Sequence, residues 1–278
     1  MAVIETFLYE DNFINNSLLA FSYTDPEDNT IEHTHEFDEL VIVDKGYGVQ
    51  IFNGEPYFIQ EGDVFLVKEN DRHFYIELGT LKLMNIQINT RYQFQYLKNV
   101  MPLLEQFYIK NVSIFSWLMP KAKESCVERI RTLDFYLSDY KGTKLQCLQI
   151  ETLFMQILSL IMTNEHTNSN NSTQFKIRNV LLYLQQNYAE QIDWKKLSEH
   201  FFITNKTMTR KIKELTGMSP VKYLNRLRVL AARDKLRHLD DSITNIAVNC
   251  GFNNSDYFTR CYKKNFGISP SDERKLIM

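Results

Sequence analysis

The hydrophobic positions along this chain change period twice. From Ser17 to Ile88, short β-rich runs are separated by turn residues: Leu18–Tyr23, Glu39–Val43, Gly48–Phe52, Pro56–Ile59, Asp63–Val67, His73–Ile76 and Leu83–Ile88. Asn53-Gly54, two residues that tolerate positive φ, sits between Val49–Phe52 and Pro56–Ile59 and predicts a hairpin. Many short strands at this spacing predict a β-sandwich or small barrel. From about Tyr92 to Met162 the period lengthens. Val127, Ile130, Leu133 and Leu137 recur at helical spacing, as do Leu145, Leu148, Leu153, Ile157 and Leu160. Two helices with apolar stripes suit either packing onto the barrel or a dimer seam. Thr163–Gln174 has almost no apolar side chains, which predicts a flexible linker.

Past the linker the pattern is helical throughout. Ile177, Val180, Leu181 and Leu184 share one face of an opening helix. Asp193, Thr204 and Ser242 stand at N-cap positions, and Ser219-Pro220 and Ser269-Pro270 place proline just inside a helix start. A helix of about twenty residues runs from Pro220 to Leu239. Flanking it are two segments on a fifty-residue offset, Thr204–Pro220 and Asn254–Pro270. Thr209/Thr259, Arg210/Arg260, Lys213/Lys263, Gly217/Gly267, Ser219/Ser269 and Pro220/Pro270 coincide between them.

A helix-turn-helix lays its second helix in the major groove, so the outward residues of each copy are the candidate DNA readers. With Met208 and Ile212 inward, Asn205, Lys206, Thr209, Arg210 and Lys213 face out. With Phe258 and Tyr262 inward, Asn254, Ser255, Tyr257, Arg260 and Lys264 do so, with Lys263 beside them. Arginine suits guanine O6/N7 and asparagine suits adenine, while the lysines suit phosphates. The long helix spans about 30 Å at 1.5 Å per residue, close to one turn of B-DNA. One polypeptide can then read two successive major grooves.

Charge sharpens this picture. Gln174–Met278 holds 19 basic against 10 acidic residues, whereas residues 1–173 hold 13 against 24. A basic half beside an acidic one points to nucleic acid as the partner of the former. The 44% hydrophobic content fits a chain with a real core. Cys126, Cys147, Cys250 and Cys261 form no C-x-x-C pair, and free cysteines suit a reducing cytosol. The N-terminus has no basic stretch followed by an apolar one, and the longest apolar run, near Leu153–Met162, is too short for a bilayer. The expectation is a cytoplasmic protein with no membrane partner. No nucleophile–base pair or phosphate-binding glycine loop argues for catalysis.

Residues 176–276 resemble the DNA-binding domain of the AraC/XylS family of transcription regulators. The resemblance is carried by Ile246-Ala247, Gly251-Phe252, Tyr257-Phe258, Arg260, Lys263-Lys264, Gly267 and Ser269-Pro270. It implies two helix-turn-helix units joined by a long helix. In the other half, His33-Thr-His35, Glu39 and Gly46, then Gly62 and His73, resemble the two motifs of the cupins, small β-barrels whose His/His/Glu/His set binds metal in enzymes. Here the second motif departs from the pattern, with Lys68 and Asn70 at its usual proline and glycine. Two uses fit the set: divalent metal ligands at His33, His35, Glu39 and His73, or hydrogen-bonding groups that contact an effector. The family resemblance favours the second, with no cofactor required. Residues 33–43, 52–57, 71–73 and 223–228 are similar to those of the L-rhamnose regulators of that family. In those regulators basic residues of the first reading helix contact bases, and Lys206 and Arg210 occupy such positions.

The expected fold is α+β with two domains: a cupin-like effector barrel (1–90), a helical dimerisation region (91–162), a linker (163–174) and an all-α double helix-turn-helix domain (175–278). Candidate effector contacts are Tyr23, His33, His35, Phe37, Glu39 and His73. The implied function is a sugar-responsive transcription activator, most simply for L-rhamnose, acting on double-stranded DNA with RNA polymerase as a homodimer. The alternatives are the same architecture answering another sugar or metabolite, and a metal-dependent cupin enzyme.

Overall fold

A computed structural model describes residues 4–25, 31–76, 81–108, 116–118, 120–163 and 172–277. The chain divides into two compact units, one of Ile4–Gln50 with Ile59–Thr167, the other of Asn168–Met278 with Ile51–Phe58.

The β-rich part of the chain is built on two sheets. Its strands are β1 (Glu5–Phe7), β2 (Leu19–Thr24), β3 (His33–His35), β4 (Asp38–Lys45), β5 (Tyr47–Phe52), β6 (Glu55–Gln60), β7 (Asp63–Val67), β8 (His73–Ile76), β9 (Lys82–Ile88) and β10 (Ser116–Trp117). One sheet has the order β1-β3-β8-β5-β6 and the other β10-β7-β4-β9-β2. Asn53 and Gly54 both adopt positive φ between β5 and β6, as a tight hairpin requires. Short helices α1 (Tyr9–Asn12) and α2 (Val100–Leu104) precede the long pair α3 (Pro120–Ser138) and α4 (Lys144–Thr163).

Register decides which face of the second sheet meets which layer. β4 pairs with β7 and β9, and β9 pairs with β2, all antiparallel. Leu40 and Ile42, with Val64, Leu66, Met84, Ile86, Ile88 and Leu19, lie on one face and pack with Cys126, Ile130, Leu133, Phe154, Ile157 and Leu158 of α3 and α4. Side chains alternate faces along a strand, so Glu39, Val41, Phe65, Val67, Asn85 and Gln87 point the other way. They are buried as well, beneath the first sheet. By length and composition α4 is apolar enough to cross a membrane, but its inward stripe is the floor of this core. Lys123 fixes the start of α3 by donating to the Asp44 carbonyl and pairing with Glu61 at 2.6 Å. Glu151 of α4, 1% exposed, accepts from the backbone N–H groups of Gln95, Tyr96 and Leu97.

Of the expected linker, Thr163 closes α4 and Thr173-Gln174 open the next helix; 164–171 lie outside the described residues. The second unit then runs α5 (Thr173–Gln186), α6 (Trp194–His200), α7 (Asn205–Thr216), α8 (Pro220–His238), α9 (Ile243–Asn249), α10 (Ser255–Phe266) and α11 (Pro270–Ile277). Asp193, Thr204, Ser242 and Asn254 all accept backbone N–H groups at their helix starts. Gly217 and Gly267 take the left-handed conformation that ends α7 and α10. Ser269 caps α11, whereas Ser219 precedes α8 without a side-chain bond.

Candidate nucleic-acid interface and effector site

Two helix pairs, α6–α7 and α9–α10, sit at either end of α8. α7 buries Met208 and Ile212, which leaves Asn205, Lys206, Thr209, Arg210 and Lys213 exposed. α10 buries Phe258 and Tyr262 at 0% exposure and leaves Ser255, Tyr257, Arg260, Lys263 and Lys264 exposed. Asn254 is exposed too, but its side chain is occupied as the α10 cap, accepting from Tyr257 N at 2.8 Å. Arg210 pairs with Glu214 one turn on at 2.6 Å. The matching position in α10 is Lys264, and the acid of that helix, Asp256, stands one turn before Arg260 instead of one turn after it. The Arg260 guanidinium lies 5.9 Å from the Tyr257 ring centroid. With 19 residues, α8 is about 28 Å long.

The run Tyr223–Arg228 of α8 ties these parts together. Asn225 donates to the Tyr257 hydroxyl at 2.7 Å, and Arg226 donates to Asn265 Oδ1 at 2.9 Å, both on α10. Arg228, 7% exposed, donates to the carbonyls of Tyr188 and Glu190 after α5. At the far side Glu273 of α11, buried to 3% at its side chain, receives Arg233, Arg237 and the Tyr262 hydroxyl.

In the first unit the inner faces of the two sheets are polar at one level. His35 and His73 meet with Nε2 atoms 3.1 Å apart, and Glu39 lies 3.9 Å from His35 Nε2. Gln50 (0% exposed) reaches His73 Nδ1 at 3.3 Å, and Gln87 stands opposite Glu39 on β9. Burial pushes the His35 imidazole down to about 4 and holds His73 well below its ordinary value, so both rings are neutral. Among the described residues, Gln50 Oε1 and Asn85 Oδ1 are buried without a hydrogen-bond partner.

Two family models match, one described as AraC-like ligand binding domain over residues 15–121 and one as helix-turn-helix domain over 197–276. The HTH-type transcriptional activator RhaS of Mannheimia succiniciproducens is 37% identical over 253 residues, which cover 90% of this chain and 91% of that protein. RhaS of Salmonella schwarzengrund is 34% identical over 251 residues, 88% of this chain and 87% of that one. The chain belongs to the AraC family of transcription regulators. Among solved structures, an AraC-type DNA-binding domain protein from Chromobacterium violaceum is 27% identical with a TM-score of 0.36, covering 38% of this chain and 94% of that one.

Within this AraC-family chain the expected effector residues do not all meet. His35, Glu39 and His73 converge. The His33 ring stands beside His73 with centroids 4.3 Å apart, but its Nδ1 faces the Ile31 carbonyl at 3.0 Å. Phe37 stacks on His35 and packs with Tyr9, Phe13 and Ala20, closing the barrel rather than opening into it. Tyr23 pairs with Met84 and so lies on the helix-side face, 45% exposed and donating to Asp44. Gln50, Asn85 and Gln87 carry no distinguishing signal in the sequence, where a buried polar residue on an alternating strand looks like a solvent-facing one.

Proposed function

We propose that this regulator is a transcription activator whose barrel binds a small sugar, most simply L-rhamnose, and whose second unit reads DNA through α7 and α10 together with RNA polymerase. The barrel's interior supports the sugar reading. Asn85 Oδ1 is a buried acceptor with no partner among the described residues, next to Gln87 and Glu39, and such an orphan costs about 1–3 kcal/mol until a donor arrives. A sugar hydroxyl is that donor, and the neutral His35 and His73 imidazoles suit a neutral polyol. The similarity of residues 33–43 and 52–57 to the L-rhamnose regulators, and the activator names of the relatives, support the same reading.

The partner copy fits α4. Leu145, Leu148, Thr152, Met155 and Ser159 alternate spacings of three and four along its outward side, the period of a coiled-coil seam. Leu145 and Leu148 are 64% and 44% exposed, and no charged residue interrupts the stripe. A homodimer through this seam places two double-reading units on one operator.

Isothermal calorimetry of the full chain against L-rhamnose, L-fucose, L-arabinose and D-glucose tests the effector. Saturable L-rhamnose binding that Asn85→Leu weakens at least about tenfold, as loss of a buried hydrogen bond predicts, supports the reading. No heat with L-rhamnose, or binding indifferent to Asn85→Leu, contradicts it.

A further inference from the structure

The turn inside each helix pair is built the same way, and one of the two turns carries a side chain it disfavours. After α9, Gly251 N–H donates to the Val248 carbonyl and Phe252 N–H to the Ala247 carbonyl. After α6, Phe202 N–H donates to the Glu199 carbonyl and Ile203 N–H to the Ser198 carbonyl. Both are the paired bonds that close a helix on a left-handed residue, a place that suits glycine or asparagine. Gly251 takes it at φ +85° and Phe202 at φ +52°. Among the described residues, the other five non-glycine positions at positive φ are all asparagine. A Cβ in this conformation crowds the neighbouring carbonyl, a cost that glycine avoids.

The ring offsets none of that cost by packing inside its own unit. Phe202 is 84% exposed, and no large apolar side chain among the described residues is more so. Backbone strain of this kind persists where the strained residue is used. The position of the turn says what uses it. Phe202 stands two residues before Thr204, the cap of α7, whose exposed Asn205 and Lys206 begin the reading face. In a helix-turn-helix the first helix crosses the DNA backbone and the second enters the groove, so the turn between them lies at the groove's edge. The charge around it is cationic. Lys176 of α5 donates to the Phe202 carbonyl at 3.2 Å, and its ammonium keeps further donors for other partners. Lys195, Lys196 and Lys206 are exposed on α6 and α7, against Glu199 and the α6 cap Asp193. An aromatic ring framed by lysines, continuous with a groove-reading helix, suits a sugar–phosphate chain.

We propose that Phe202 packs against a deoxyribose of the duplex backbone at the edge of the first major groove, with Lys176 on the adjoining phosphate. The contact adds affinity without reading sequence, and the second helix pair, with Gly251 at the matching place, lacks it. It rests on the reading of α7 as a groove helix.

The test is fluorescence anisotropy of the full chain on a duplex selected from a random library by the wild type, and on an unselected duplex of equal length. Phe202→Gly suits the turn, so its melting temperature should hold or rise by up to about 5 °C. Its affinity should nonetheless fall on the order of tenfold on both duplexes. The salt slope should not change, because an apolar contact releases no counterions. Lys176→Ala should instead lower that slope by about 0.9. Phe202→Tyr keeps the ring and should recover most of the affinity that glycine loses. Arg210→Ala, measured alongside, reports on the groove reading itself. Undiminished affinity in Phe202→Gly beside a loss in Arg210→Ala would overturn the backbone contact and leave the groove reading standing. Undiminished affinity in both would overturn the two together. Wild-type affinity in Phe202→Gly with transcription by purified RNA polymerase lost would put a protein on the ring, and that too would overturn the proposal.

Discussion

At Gly251 the backbone sits at φ +85°, and a Cβ there would fall 2.5 Å from the Ala189 carbonyl oxygen. Both the positive φ and the backbone contact exclude a side chain. Gly251→Ala should destabilise the second unit by about 1–3 kcal/mol in thermal unfolding, with effector affinity in the first unit unchanged. Glu273 offers a complementary test. Burial alone would raise its carboxyl, but the Tyr262 hydroxyl and the Arg233 and Arg237 guanidiniums outweigh burial and hold it below the usual range. A depressed folded value means this stability is present above the unfolded value of about 4.3 and lost as pH falls through the folded one. Glu273→Gln should therefore cost about 2–4 kcal/mol at pH 7 and flatten the loss of melting temperature between pH 5 and pH 3; an unchanged acid profile would contradict the assignment. Tyr23 shows where the sequence misleads at this scale. In Leu19–Tyr23 apolar residues occupy both phases of the alternation, so nothing in the pattern says which side chain faces inward.

α7 and α10 differ in how their arginines are held. Arg210 is paired with Glu214 on an exposed helix face, an interaction that base contact must displace and that is weak enough to allow it. Arg260 lies against Tyr257, whose hydroxyl is fixed by Asn225 of α8. Arg210→Ala and Arg260→Ala should each cost about 1–3 kcal/mol of specific binding and relax preference at one base pair. Lys264→Ala should instead weaken binding evenly across sequences and reduce the salt slope by about one. A uniform loss in the arginine variants, read by selection from a random duplex library, would contradict base reading. These helices were legible in the sequence because caps, glycine ends and a 3.6 period agree over a dozen residues. The three-residue strands β1 and β3 were not, since a run that short has no period to detect. The sequence marks His33 and His35 by their chemistry and gives no sign of the strand that carries them.

The whole chain pairs an acidic barrel-and-helix unit with a basic reading unit, a division visible in charge before any coordinate. Which surface of the first unit meets a partner was not legible, because α4 is apolar on both sides. Its inner stripe is core, and the outer stripe emerges only once the inner one is assigned. Leu148→Asp should convert a dimer into a monomer in analytical ultracentrifugation while leaving the barrel folded, and a dimer that persists would place the seam elsewhere. The central claim is that one polypeptide reads two neighbouring major grooves. Hydroxyl-radical footprinting on a selected operator tests it most directly. The account predicts, for each protomer, two protected segments about 10 base pairs apart on one face of the duplex, one fading in Arg210→Ala and the other in Arg260→Ala. A single protected segment per protomer, or both variants losing the same one, would contradict it.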